Sequence, residues 1–278
     1  MGYIHESYNS IDQLLRTISE RPVNKVFKNY ERSSQTGSEK FTGTKSYKAA
    51  EELIQGGWSE PLKELKERTK ELSVKSNVTT NRTRPRNSVV GYAPCVPAAI
   101  LGLPESMIAT DRVPSKIKAV TIVYSNSGPC RVKTDQFLKA GAVVLNIVNN
   151  LELQGYRVRL LCEFYSAKER TERVVGRVSV KDWRQPLDLK KIAFPIAHSS
   201  MLRRIGFKWI ETVPGLTNYG WPSGYGDDLA ACEGYDGVKQ DYEKNGLLSE
   251  NEYYISRKMI DEQKYDIDAV MKKAGMNL

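Results

Sequence analysis

A chain of 278 residues and 31.4 kDa can bury about three-quarters of its unfolded surface, so it folds without needing disulfides or metal. With 40% hydrophobic and 27% charged residues it falls outside the disordered, collagenous and membrane-spanning classes. The net charge of +9 is unevenly placed: residues 91–220 carry 19 basic and 10 acidic side chains, whereas residues 221–278 carry 7 and 12. A basic body followed by an acidic segment suits binding to a polyanion, or head-to-tail contact in which the tail of one copy covers the body of another.

The N-terminus, MGYIHESYNSID, is acidic and polar where a secretion signal would be basic and then apolar. Ser10 to Gln13 has the form of a capping box, and Ile11, Leu14, Leu15 and Ile18 then mark one face of a helix that Pro22 stops. Ser46 is placed to cap YKAAEELIQ, and Ser59 a helix beginning with Pro61 in its first turn. Residues 1–75 therefore read as a helical arm. The next segment, 76–114, reads as a basic linker followed by an irregular Pro-rich connector. In it Arg82, Arg84 and Arg86 alternate with Thr83 and Pro85, so an extended backbone puts three guanidinium groups on one side. That pattern suits a phosphate backbone, and equally a solvated linker.

From Ile117 the pattern becomes alternating strand and helix. IKAVTIVYS (117–125) is a β-branched run of the buried parallel-strand kind. Thr134 then caps a long helix with Phe137, Gly141, Val144, Val148 and Leu151 on one stripe. Strands follow over 156–166 and 172–183. Residues 187–207 read as two helical pieces broken at Pro195, 251–260 as a late strand, and 266–276 as a closing helix capped at Asp266. The order predicts an α/β domain over 115–278, with a mixed, mostly parallel sheet flanked by helices. Its longest apolar stretch, Ala140 to Val148, is about half the length that spans a bilayer.

The four cysteines show no zinc-ligand spacing and read as reduced and mostly buried. Only two histidines exist, His5 and His198, and His198 lacks the nucleophile elbow that a triad base would accompany. Arg203, Arg204 and Lys208 beside Phe207 and Trp209 could pair cations with a stacking surface for nucleic acid, or sit at a helix end in the core. Tyr225-Gly226-Asp227-Asp228 matches the paired-aspartate motif of template-directed polymerases, where two carboxylates hold metal. Here it lies in a Gly- and Pro-rich loop, and either aspartate could instead cap the following helix.

Two resemblances add to this reading. A first strand, a polar serine loop, a long helix and LELQGYRVRLL together resemble the von Willebrand factor A type of Rossmann-like domain. That family implies a divalent cation held by an Asp-x-Ser-x-Ser loop. Ser125 and Ser127 match its serines, but Val123 stands where the aspartate belongs, which leaves the ion site degenerate. The phrases FTGTKSYKAAEELIQGGW, GYAPCVPAAILGLP and FPIAHSSMLRRIGFKWIE resemble those of bacteriophage-encoded proteins. That resemblance implies action in a bacterial host cytoplasm or in a virion. The expectation is a non-catalytic interaction or assembly protein, without a cofactor, that meets nucleic acid, an acidic protein or its own copies. The alternative is a metal-dependent enzyme on nucleic acid using Asp227 and Asp228.

Overall fold

The computed structural model describes residues 2–24, 27, 38–59, 83–112, 118–168, 172–216 and 229–276. Five strands form the main sheet: β1 (Gly2–Tyr8), β5 (Ala119–Ser125), β6 (Arg157–Lys168), β7 (Glu172–Lys181) and β8 (Glu252–Ser256), in the order β1-β7-β6-β5-β8. β5 runs parallel to β6 and β8, β7 is antiparallel to β6, and β1 is parallel to β7. The protein is therefore α/β, with a mixed, mostly parallel sheet.

Local chemistry sets the helix starts. Ser10 accepts from the Gln13 N–H at 3.1 Å and opens α1 (Ile11–Glu20), whose Leu14, Leu15 and Ile18 are buried. Ser46 does the same for α3 (Tyr47–Gly56), which follows the short α2 (Glu39–Thr42). α5 (Thr134–Leu153) carries the predicted stripe, but its N-cap is Lys133 rather than Thr134. Beyond its C-cap Gln154 the chain turns at Gly155, whose φ of +88° suits a residue without a Cβ.

β7 shows how the sheet is covered on both faces. Gly176 lies against the indole of Trp209 in α7 (Phe207–Thr212), whereas Arg173 and Arg177 turn to Asp241 and Tyr242 of α8 (Leu229–Lys244). A Cβ added at Gly176 would stand 2.5 Å from the indole. Gly176→Ala should therefore lower stability by about 1–3 kcal/mol in chemical denaturation, with the Trp fluorescence altered.

Four expectations are corrected. The N-terminal segment is not helical throughout: β1 is an edge strand of the main sheet, and α1 and α3 contribute to its core cluster. Pro195 does not break a helix but lies inside α6 (Leu189–Ala197); the chain turns at His198 and continues as a wide π-helical turn, Met201–Gly206, into α7. β8 ends at Ser256, whose hydroxyl caps α9 (Arg257–Glu262); α10 (Ile267–Ala274) is capped by Asp266 as expected. The connector is not irregular: β2 (Thr83–Ser88), β3 (Ala93–Pro94) and β4 (Met107–Arg112) form a second antiparallel sheet, with α4 (Val96–Ile100) between β3 and β4. The helix expected after Ser59 lies outside the described residues.

Candidate functional site

In open α/β sheets ligands collect beyond the carboxyl ends of the strands where the connections diverge. Here that point is the end of β5, with β6 on one side and β8 on the other. The loop Ser125-Asn126-Ser127-Gly128 leaves the sheet there, and its side chains are turned inward. Ser125 hydrogen-bonds the buried Glu163 carboxylate. The Ser127 hydroxyl accepts from the Tyr165 N–H at 3.1 Å and donates to the Tyr165 carbonyl at 3.3 Å. Both hydroxyls are thus engaged, and the position that would carry a charged ligand is the buried, apolar Val123. These residues do not fit a divalent cation. Among the described residues, no group of three or more His, Cys, Asp or Glu is placed to hold a metal ion.

Cations occupy the surroundings instead. The Arg257 guanidinium lies over Gly128 so closely that a Cβ there would meet its Nε at 2.9 Å, and it pairs with Asp261. Arg203 and Arg257 both approach the Phe137 ring, at 5.2 and 5.7 Å from its centroid. Burial, with the nearby Arg257 charge, pushes Arg203 down to about 10. One row further across the sheet, Ser256, Ser125, Glu163, Arg177 and Ser7 stand in register on five strands. Arg177 Nε donates to Glu163 at 2.9 Å, and the Tyr242 hydroxyl donates to the other carboxylate oxygen at 3.0 Å. Burial raises the Glu163 carboxyl above its ordinary range, against the opposing effects of Arg177, Tyr242 and Ser125.

The structure separates the residues proposed for nucleic acid. Arg203 and Arg204 do not form a surface: both are buried, Arg203 donating to the carbonyls of Phe41, Cys130 and Val132, and Arg204 to that of Thr44. Desolvating a guanidinium is tolerable only when its N–H groups find acceptors, and these carbonyls supply them. Lys208 is half-buried and pairs with Glu211 at 3.3 Å. Arg84 and Arg86 lie on β2, so the extended backbone expected there is present, and Arg86 is exposed. Arg82, the Arg84 side chain, Asp227 and Asp228 lie outside the described residues. Of the cysteines, Cys162 is buried and Cys130 is exposed.

The second sheet has a different character from the body. Among its described residues only Ala98 is a buried hydrophobic, and none belongs to the main core cluster. Val89, Val90, Tyr92, Val96, Ile100, Leu101 and Leu103 are exposed, Val90 and Ile100 by 79%. Seven large apolar side chains held outside a core within fifteen positions form a surface of the kind that marks an interaction site.

The sequence model of a family described as a domain of unknown function, DUF7192, matches residues 3–277. The chain belongs to the DUF7192 family. The match runs from β1 past α10, so this DUF7192 unit includes the second sheet as well as the main one. No curated protein and no solved structure matches the chain. Among the described residues of this DUF7192 protein, no helix is long and apolar enough to cross a membrane.

Sequence reasoning missed the apolar surface because three prolines and the lack of a helical period in 91–107 read as packed connector. The signal was nevertheless present: GYAPCVPAAILGLP has no charge to keep it soluble and no alternation to place one side in a core. It also missed the Glu163–Arg177 pair. The two residues are fourteen apart on neighbouring antiparallel strands, and only the register of β6 on β7 sets which residues face each other.

Proposed function

We propose that this DUF7192 protein is a non-catalytic interaction and assembly protein whose second sheet, residues 83–112, docks on another copy of the chain. The single observation that carries the reading is the exposed apolar surface from Val89 to Leu103. Covering such side chains contributes about 1.5–3 kcal/mol for each one fully buried, which is the driving force for association. Charge supports a second copy as the occupant. Residues 221–278 are net acidic, with Asp236 and Glu262 exposed on α8 and α9, each paired with a lysine of its own chain, whereas Arg86 is exposed beside the apolar surface. A head-to-tail contact brings these together.

The main domain suits the same role. Its run of strand, serine loop, long helix and strand is the part similar to the von Willebrand factor A type, here read as a scaffold that works without the family's cation. The viral assignment, and with it action in host cytoplasm or virion, rests on the resemblance to phage-encoded proteins. Burial of Arg203 and Arg204 weakens the nucleic-acid reading, leaving Arg82, Arg84 and Arg86 as the residues on which it would depend.

Size-exclusion chromatography with light scattering tests the proposal. The full chain should run as a multiple of 31.4 kDa, and the variant with Val90→Asp and Ile100→Asp should return to a single-chain mass with its circular dichroism unchanged. A wild-type chain that stays monomeric at all concentrations, or an assembly unmoved by both aspartates, would overturn it.

A further inference from the structure

A cleft of about 280 Å³ lies along the edge strand β1. Its walls include His5 and Ser7 of β1, Arg159 of β6, Arg177 of β7, Leu247 and Glu252. Arg177 and Ser7 are the two members of the row crossing the sheet that line it. Two features of its donors stand out. Arg177, 5% exposed, uses Nε for Glu163 and Nη1 for the Leu247 carbonyl, while its Nη2 is buried without any acceptor. Arg159 is fixed beneath Trp183, its guanidinium 5.1 Å from the ring centroid, and its Nε is likewise buried with no acceptor.

A buried donor left without an acceptor forfeits the free energy of its lost hydration, and a native structure retains few of them. Such donors are not confined to the cleft, Arg257 Nε being another, but two of them occur on arginines that line this one cavity. Against them, among the described lining residues, stands one carboxylate, Glu252. At the rim the Ser7 hydroxyl lies 3.3 Å from His5 Nε2, which adds two groups able to donate.

We propose that this cleft binds a small molecule through a carboxylate or phosphate oxyanion, held between Arg159 and Arg177 with His5 and Ser7 at the rim. Guanidinium groups suit this task because they stay charged and present several donors in a plane. Arg177 is held by Glu163 and Leu247, so it contributes a donor of settled direction. Arg159, stacked on Trp183 and half-buried, supplies the second charge. The volume admits a compact ligand and excludes a polymer from its interior.

The two histidines of the chain make the test direct. Ring signals of His5 and His198 are followed by NMR as inorganic phosphate, acetate or chloride is added to the full-length protein. Phosphate or acetate should shift the His5 signals saturably and leave the buried His198 unmoved. The bound anion should also raise the pH at which His5 titrates, its other charged neighbours being Arg177, Arg159, Glu252 and Glu6. Which of the two probes binds more tightly assigns the ligand's headgroup.

Arg159→Gln should weaken the affinity about tenfold. Glu252→Gln, which removes the repelling carboxylate, should strengthen it. Opposite shifts from two folded variants cannot come from a general loss of structure. No saturable His5 shift with phosphate or acetate, an equal response to chloride, or an affinity unaltered in Arg159→Gln would overturn the proposal.

Discussion

Replacing Arg177 by methionine should destabilise the protein by about 3–5 kcal/mol, read by urea denaturation, because it leaves the Glu163 carboxylate buried beside Tyr242 without its counter-charge. The guanidinium side chain is 6% exposed and the carboxylate 0%, so water cannot take over for either partner. Adding Glu163→Gln to Arg177→Met should recover at least half of that loss. The glutamine oxygen still accepts from the Tyr242 hydroxyl, but no charge remains to be desolvated. With Glu163→Gln alone closing the cycle, a double variant whose cost equals the sum of the two single costs would show that the pair is not coupled, and that Arg177 matters only for packing on the Tyr242 ring.

Acidification should destabilise the protein through His198, by about 3 kcal/mol between pH 7 and pH 4. The ring is stacked on Phe194 and set edge-on to Trp58, and its Nδ1 accepts from the Ser200 N–H at 3.0 Å. Burial pushes its pKa down from 6.5 to about 4. Between those values the unfolded chain holds a proton that the folded chain excludes. The stabilising contribution is therefore present in full above about pH 6.5 and is lost as the pH falls towards 4. His198→Asn keeps an acceptor for Ser200 and removes the titration. It should lower stability at neutral pH but flatten the stability profile between pH 4 and 6.5. An unchanged profile in that variant would assign the acid sensitivity to other groups.

The same histidine shows what local sequence can and cannot report. Its lack of a nucleophile elbow pointed to a structural role, and its ring does pack between Phe194 and Trp58. What surrounds it was not legible: Gly43, more than 150 positions earlier, passes so close that a Cβ there would meet the ring at 2.9 Å. The arginines beside it give the converse case. Arg203 and Arg204 have the composition of a nucleic-acid patch, yet their acceptors are carbonyls of residues 41, 44, 130 and 132. A surface arginine and a buried one have the same letter, and only the partners brought by the fold distinguish them.

What the sequence determined by itself is whatever is decided within a few residues. The caps at Ser10, Ser46 and Asp266 lie three positions from the N–H groups they satisfy. The β-branched run of β5 and the apolar stripe of α5 carry their own periods, so the α/β alternation from Ile117 onward was readable. Tertiary structure decided everything that depends on pairing at a distance. β1 is too polar to announce itself as a strand, because it is an edge with His5 and Ser7 exposed, and it exists through its hydrogen bonds to β7 some 170 residues away. The cleft lined by Arg159 and Arg177, and the acceptors that take Arg203 out of any surface, follow from that register. The apolar surface of residues 89–103 belongs to the same class: hydrophobic composition says that a segment needs covering, and only the fold shows that its own core does not supply the cover.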